Sequence, residues 1–303
     1  MMGSVLHAFR LVLGSLAAAA LAASLVACAT PGPALTEDVG AIRSGVVAAR
    51  EQARLSFEAA NKLARDQAVE RKVVRAEVTL RESDFPVPVA REDAQAWAAA
   101  FDVLDAYGAA LQSLVAPERA QATGAGLSEL AGQISSGPIH AKIPPSVQAV
   151  FATFAQALVQ AHAEKTATDV MRRTDPAFHA VVLGMADAIG SDPSQSSSLQ
   201  FVVAANWTAA LSRTADDYAA LPPANAAGRR TLAKQYIAAM DARDGQLGDL
   251  SQLASSLRAL GDAHAAASQG RPGDALFWVG RINGWLDDVK HRVEAAKAQE
   301  ASQ

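Results

Sequence analysis

The chain has 303 residues, 50% of them apolar, 5% aromatic and 19% charged, with a formal net charge of −4. That length holds one large domain or two small ones, and mild acidity without a basic cluster argues against nucleic acid, whose binding rests on phosphate neutralisation. The apolar share is dominated by alanine, the best helix former, whereas strands favour branched and aromatic side chains, so the composition predicts helices.

Arg10 is the only charged side chain before Glu37, and an alanine-rich apolar stretch from Leu11 to Ala27 follows it. A permanent span needs about 20 strongly apolar residues, more than this stretch supplies. A positive start, an apolar middle and small residues at the end describe an export signal. The stretch closes on Leu25-Val26-Ala27-Cys28: a large aliphatic, two smaller residues and a thiol. These four residues resemble the lipobox of bacterial lipoproteins. The resemblance covers this segment alone. It implies a diacylglycerol on the Cys28 sulphur, removal of residues 1–27 and acylation of the new amino terminus. Cys28 is the only cysteine, so it has no intramolecular disulfide partner, and an unmodified thiol in an oxidising compartment would be a liability. Several acyl chains, at roughly 0.8 kcal/mol per buried CH₂, would make a stable membrane anchor. Position 29 is Ala rather than the Asp that retains many such proteins at the inner membrane, so the resemblance implies the outer membrane, facing the periplasm. The competing reading is an ordinary secretory signal ending near a cysteine.

Residues 28–35, with Pro31-Gly32-Pro33, read as a lipidated spacer. Thr36 reads as the N-cap of a first helix, followed by acids that suit the positive end of its dipole. Its apolar stripe of Val39, Ile42, Val46, Ala49, Ala53, Phe57, Ala60 and Leu63 carries it to about residue 71. Residues 74–81 alternate apolar and polar, a period of two, so a short strand competes with continuation of the helix up to the Phe85-Pro86-Val87-Pro88 break. Continuation is preferred, for want of a clear partner strand.

Helical periodicity returns from Arg91 to Ala116, with Trp97, Phe101, Leu104, Gly108, Leu111 and Val115 on one face. Pro117 opens a shorter helix through Leu127, Leu130 and Ile134. After a proline-bounded loop, Val147, Val150, Phe154, Leu158 and Ala161 define a helix expected to end near Arg173. Thr174-Asp175-Pro176 then reads as the cap of the next, whose face is Phe178, Val181, Val182, Met185 and Ile189. A polar loop at 190–198 precedes Leu199, Val203, Trp207, Ala210, Thr214 and Leu221. Beyond Pro222-Pro223, the stripe Leu232, Tyr236, Met240 leads into Leu250, Leu253, Leu257 and Leu260. Gly270-Arg271-Pro272-Gly273 is a turn, and Ala275, Val279, Ile282, Leu286, Val289 and Val293 mark the last helix.

The expectation is an all-α bundle of about eight antiparallel amphipathic helices, spanning residues 36–296, with 190–198 as the boundary if there are two packed subdomains and 297–303 as a frayed tail.

No catalytic motif stands out. The serine-hydrolase elbow, phosphate loop, dinucleotide fingerprint and HExxH are absent, and Cys28, once acylated, offers no thiol. Of the histidines, His264 is singled out because it extends the Leu250–Leu260 stripe toward a neighbouring helix. It is read either as a hydrogen-bonded core histidine or as a buried ligand or proton-linked switch. His179 and His291 each follow an aspartate by four residues and read as surface pairs. No Glu-x-x-His occurs, so neither a metal site nor a cofactor is expected. Trp278 and Trp285, seven apart beside the last apolar stripe with Phe277 adjacent, read as completing the core or as a partner-binding face. Gly280 and Gly284 form a weak G-x-x-x-G beside them.

The function expected is that of a non-enzymatic, membrane-tethered lipoprotein of the cell envelope that binds another envelope protein. A carrier or sensor of an apolar small molecule and an envelope enzyme with scattered acids and histidines are the alternatives.

Overall fold

Alanine at many interior positions lets helix axes approach closely, and in this chain the helices close into a ring. The computed structural model describes residues 33–301, apart from 76–78, 116–119, 137–142, 163, 165, 191–192, 195, 197 and 272–273. Its helices are α1 (Pro33–Val74), α2 (Arg91–Val115), α3 (Ala120–Ser135), α4 (Gln148–Ala161), α5 (Ala167–Ile189), α6 (Leu199–Ala220), α7 (Ala226–Ser268) and α8 (Asp274–Ala301). One 3₁₀ turn, Glu82–Asp84, lies between α1 and α2, and no strand occurs among the described residues. The all-α bundle expected from composition and periodicity is the fold observed.

The helices α1, α2, α3, α4, α5 and α7 touch in that order, and α7 returns to α1. Helix α8 packs on α1 and α7, while α6 packs chiefly on α7. Side-chain pairs give the directions. Arg43 bonds Asp105 while Asn61 bonds the backbone of Val89, so α1 and α2 run antiparallel. Gly45 approaches Leu260 while Gln52 meets Ser256, so α1 and α7 do too. Asp175 meets His264 and Asp187 meets Arg258, which sets α5 antiparallel to α7.

The ring closes on large side chains. Phe101, Leu104, Tyr107, Phe151, Phe154, Phe178, Leu257 and Leu260 are at most 1% exposed. Burying an aliphatic or aromatic side chain of this size contributes roughly 1.5–3 kcal/mol. Two glycines permit the close approach. A Cβ on Gly45 would stand 2.8 Å from Leu260 Cδ2, and one on Gly190 would stand 2.5 Å from Ser198 Cβ. Gly190 also ends α5 at φ 89°, a conformation that L side chains rarely adopt.

Several expected boundaries move. Helix α1 begins at Pro33, so Thr36 lies inside it rather than capping it. It stops at Val74; residues 79–81 are neither helix nor strand, so the expected helical continuation does not reach them, and 76–78 lie outside the described residues. The start expected at Thr174-Asp175-Pro176 is absent. Helix α5 runs through Pro176 from Thr166, whose hydroxyl accepts from the Asp169 N–H at 3.1 Å. Proline withholds only the N–H that would bond Arg172, a loss that packing on both sides of α5 offsets. Helix α8 continues past Ala296 to Ala301. The lipobox and Cys28 lie outside the described residues.

Helices α6 and α7 differ from the rest. Gln200 Nε2 donates to Ser251 Oγ at 2.8 Å, Trp207 Nε1 to Gln246 Oε1 at 2.7 Å, and Arg229 to the Leu221 carbonyl at 3.0 Å. The pair is therefore an antiparallel hairpin along its whole length. Its inner half has buried Val203, Leu211, Leu250 and Leu253, whereas no residue from 212 to 245 is buried. The outer half is an arm that leaves the bundle. Residues 226–245 extend about 30 Å at 1.5 Å per residue.

Candidate functional site

Three places stand out: the His264 stripe and the tryptophans of α8, both legible in the sequence, and the outer arm, which the structure adds.

His264 sits at 0% exposure, where the leucine stripe of α7 meets α2 and α5. Its Nδ1 lies 2.7 Å from Asp175 Oδ1 and its Nε2 lies 2.8 Å from the Tyr107 hydroxyl. That hydroxyl lies 2.6 Å from Thr174 Oγ1, itself 2.9 Å from the Val170 carbonyl. Hydrogen counting sets the direction. The Asp175 carboxylate accepts from Nδ1–H, so a neutral imidazole leaves Nε2 as acceptor from Tyr107, and the single Thr174 hydroxyl hydrogen is then shared between Tyr107 and the Val170 carbonyl. A doubly protonated ring would reverse the chain, with Nε2–H donating to Tyr107, Tyr107 to Thr174, and Thr174 to the Val170 carbonyl. Phe178 stacks on the imidazole at 4.3 Å between centroids, and Phe154 meets Tyr107 edge-on at 5.2 Å.

Burial pushes the His264 imidazole below its ordinary value, against the upward pull of the Asp175 carboxylate; nearby His179 adds a further downward push. Burial likewise holds the Tyr107 phenol well above its usual range, so it stays a neutral hydroxyl. An aspartate, a histidine and a hydroxyl in line form the skeleton of a nucleophilic relay. Here the hydroxyl end is sealed: Tyr107, Thr174 and His264 are each at 0% exposure, and only Asp175 reaches the surface, with 26% of its side chain exposed. The chain joins α2, α5 and α7 and presents no reacting atom to a substrate. The expected surface pair of His179 with Asp175 gives way, because Asp175 turns to His264 and His179 lies against Gly261 of α7.

Trp278 and Trp285 are half-buried and pack against the core. The Arg281 guanidinium stands over both rings, 5.3 Å and 5.0 Å from their centroids. Phe277 projects outward at 61% exposure, edge-on to Trp278. A Cβ on Gly280 or Gly284 would meet nothing within 4 Å, so the G-x-x-x-G faces open space.

The α6–α7 arm was not singled out in the sequence beyond its apolar stripe. Its seam consists of half-buried Thr214, Tyr218, Leu221, Leu232, Tyr236 and Ala239. Arg229 closes the tip, its guanidinium 4.0 Å from the Tyr218 ring centroid. Asn225 caps α7 by accepting from the Gly228 N–H at 3.0 Å. On a second face of α7, a turn apart, Ile237 and Met240 are 58% and 36% exposed, with exposed Ala233 one turn earlier. Because α1 and α7 are antiparallel, with residue 45 beside 260 and residue 52 beside 256, the arm leaves the bundle at the end opposite Pro33.

Elsewhere, a groove of about 330 Å³ between α1 and α2 has Phe57, Trp97 and Phe101 in its wall. The arginines at its rim are already paired, Arg50 with Asp102 and Arg54 with Glu51 and Glu58. Among the described residues, no three His, Cys, Asp or Glu side chains gather as metal ligands, and no helix is long and apolar enough to cross a membrane. No protein-family model, curated protein or solved structure matches the chain.

Proposed function

We propose that the chain is a lipid-tethered, non-enzymatic scaffold of the cell envelope, anchored through Cys28, which docks a protein through the α6–α7 arm. One observation carries this reading. Residues 212–245 form a helix pair without a single buried residue, yet the pair exposes Ile237 and Met240. Helices draw most of their stability from packing an apolar face against a neighbour, and this segment lacks that neighbour on one side. The position of the arm supports the same reading. With the lipid before Pro33, the bundle acts as a spacer that holds the arm away from the bilayer. The sealed His264 chain fits a structural joint better than a reaction centre.

A photo-reactive residue at Ile237 of the full chain, in a host that processes lipoproteins, tests this. Illumination should give a protein adduct of defined size, whereas the same residue at Val159, 51% exposed on the body of the bundle, should not. Equal labelling from both positions, or none from Ile237, would remove the reading.

A further inference from the structure

The arm carries its own clue to what covers it, since the exposed charges of α7 are segregated along that helix, with half-buried Arg243 between its two acids and exposed Asp216 and Asp217 on α6. Arg230 and Lys234 lie toward the tip, Asp241 and Asp244 toward the base, and all four are exposed on either side of Ile237 and Met240. Residue 230 stands as far before Ile237 as residue 244 stands after it. Residue 234 stands three before Ile237 and residue 241 four after it, symmetric to within one position.

We propose that the occupant of this face is a second copy of the chain, with the two α7 arms antiparallel about Ile237. The proposal rests on the docking reading above and names its partner. A two-fold axis through such a contact sets Arg230 and Lys234 of one copy beside Asp244 and Asp241 of the other, twice over. A parallel alignment sets like charges together. A two-fold interface requires one patch to complement itself, and segregated opposite charges flanking an apolar centre meet that requirement. Asp244 already holds Arg243 of its own chain at 2.8 Å, so Lys234–Asp241 is the pair with most to gain across the interface. Two hairpins joined in this way make a four-helix bundle, in which Ala233, Ile237 and Met240 occupy the core that the isolated arm lacks. The antiparallel register carries the two Pro33 ends to opposite ends of the pair, so two copies tethered before Pro33 pair from facing bilayers rather than side by side in one.

The full chain purified in mild detergent gives the test, with cysteines added singly to the arm. Ile237→Cys should form a disulfide-linked homodimer on mild oxidation. Lys234→Cys and Asp241→Cys should each dimerise poorly alone and efficiently when mixed. Lys234→Asp or Asp241→Lys should weaken association, read by sedimentation, by on the order of tenfold, and the double reversal should restore it. All these positions are exposed, and unchanged melting curves would show that the bundle itself is intact. Homodimers from Lys234→Cys as abundant as those from Ile237→Cys would overturn the antiparallel pairing, as would a monomer at every concentration. If the chain is monomeric while the photo-reactive residue at Ile237 still captures a different protein, self-pairing fails and the docking reading stands. If Ile237 captures nothing, both fail.

Discussion

Phe178→Ala should cost about 3–5 kcal/mol of stability, the range for truncating a fully buried aromatic ring. Phe178 has 0% exposure and sits where three helices meet. Its ring lies 4.3 Å from the His264 imidazole, 5.7 Å from Tyr107 and 6.1 Å from Phe154 between centroids. Truncation removes transfer energy and also leaves a void beside hydrogen-bonded groups that are held in place by Tyr107–His264–Asp175 geometry. The neighbours cannot collapse into the void without breaking those bonds, so the upper part of the range is expected. Urea unfolding followed by circular dichroism measures it. A loss under about 1 kcal/mol would mean that the site relaxes freely and that the ring is not the joint described.

The second large effect is tied to pH. At pH 8, His264→Gln should lower stability by about 1–3 kcal/mol, because Asp175 and Tyr107 lose well-placed partners. That deficit should shrink on acidification. The folded imidazole titrates below its unfolded value of about 6.5, so the unfolded chain takes up a proton before the folded chain does. Stability from neutral His264 is therefore complete above about pH 6.5 and is lost as the pH falls toward the folded value. Asp175, His179 and Tyr107 are the titratable groups named around the ring, and of these only Asp175 pulls the other way. Urea midpoints for both proteins from pH 8 to 5 decide between the two influences. A gap that narrows below pH 6.5 shows burial dominating. A gap that widens shows the Asp175 ion pair dominating and would reverse the account of this site.

Much of the fold could be read from periodicity, and its failures have local causes. The stripes of α2, α4 and α7 correctly mark buried Phe101, Phe154 and Leu257. Pro176 was misleading because proline is common at a first helical position, while the actual cap, Thr166 with Asp169 three residues on, carries a signal of the same kind. Both Gly108, on the expected α2 stripe, and Tyr107 follow Leu104 at helical spacing, and both are buried. Tyr107 is the residue that reaches His264. That contact joins positions 107 and 264, and no local pattern encodes it. The placement of His264 on an inward face was legible; its partners were not. The arm fails differently. The expected stripe of Leu232, Tyr236 and Met240 splits: Leu232 and Tyr236 are half-buried in the seam with α6 while Met240 joins Ile237 on the exposed face, and periodicity does not say which face has a helix opposite. Here the ring of helices ends at Gln246 and α7 continues beyond it.

Hydrogen exchange on the full chain across a range of protein concentrations addresses the arm most directly. Within the single helix α7, amides of 246–268 should be strongly protected at every concentration, because they belong to the core. Amides of 226–245, with those of 212–220 in α6, should exchange rapidly when the protein is dilute and gain protection as it is concentrated. Protection in the outer arm that equals that of 246–268 at the lowest concentration, and does not change with concentration, would show an arm stable without a partner and would contradict the account.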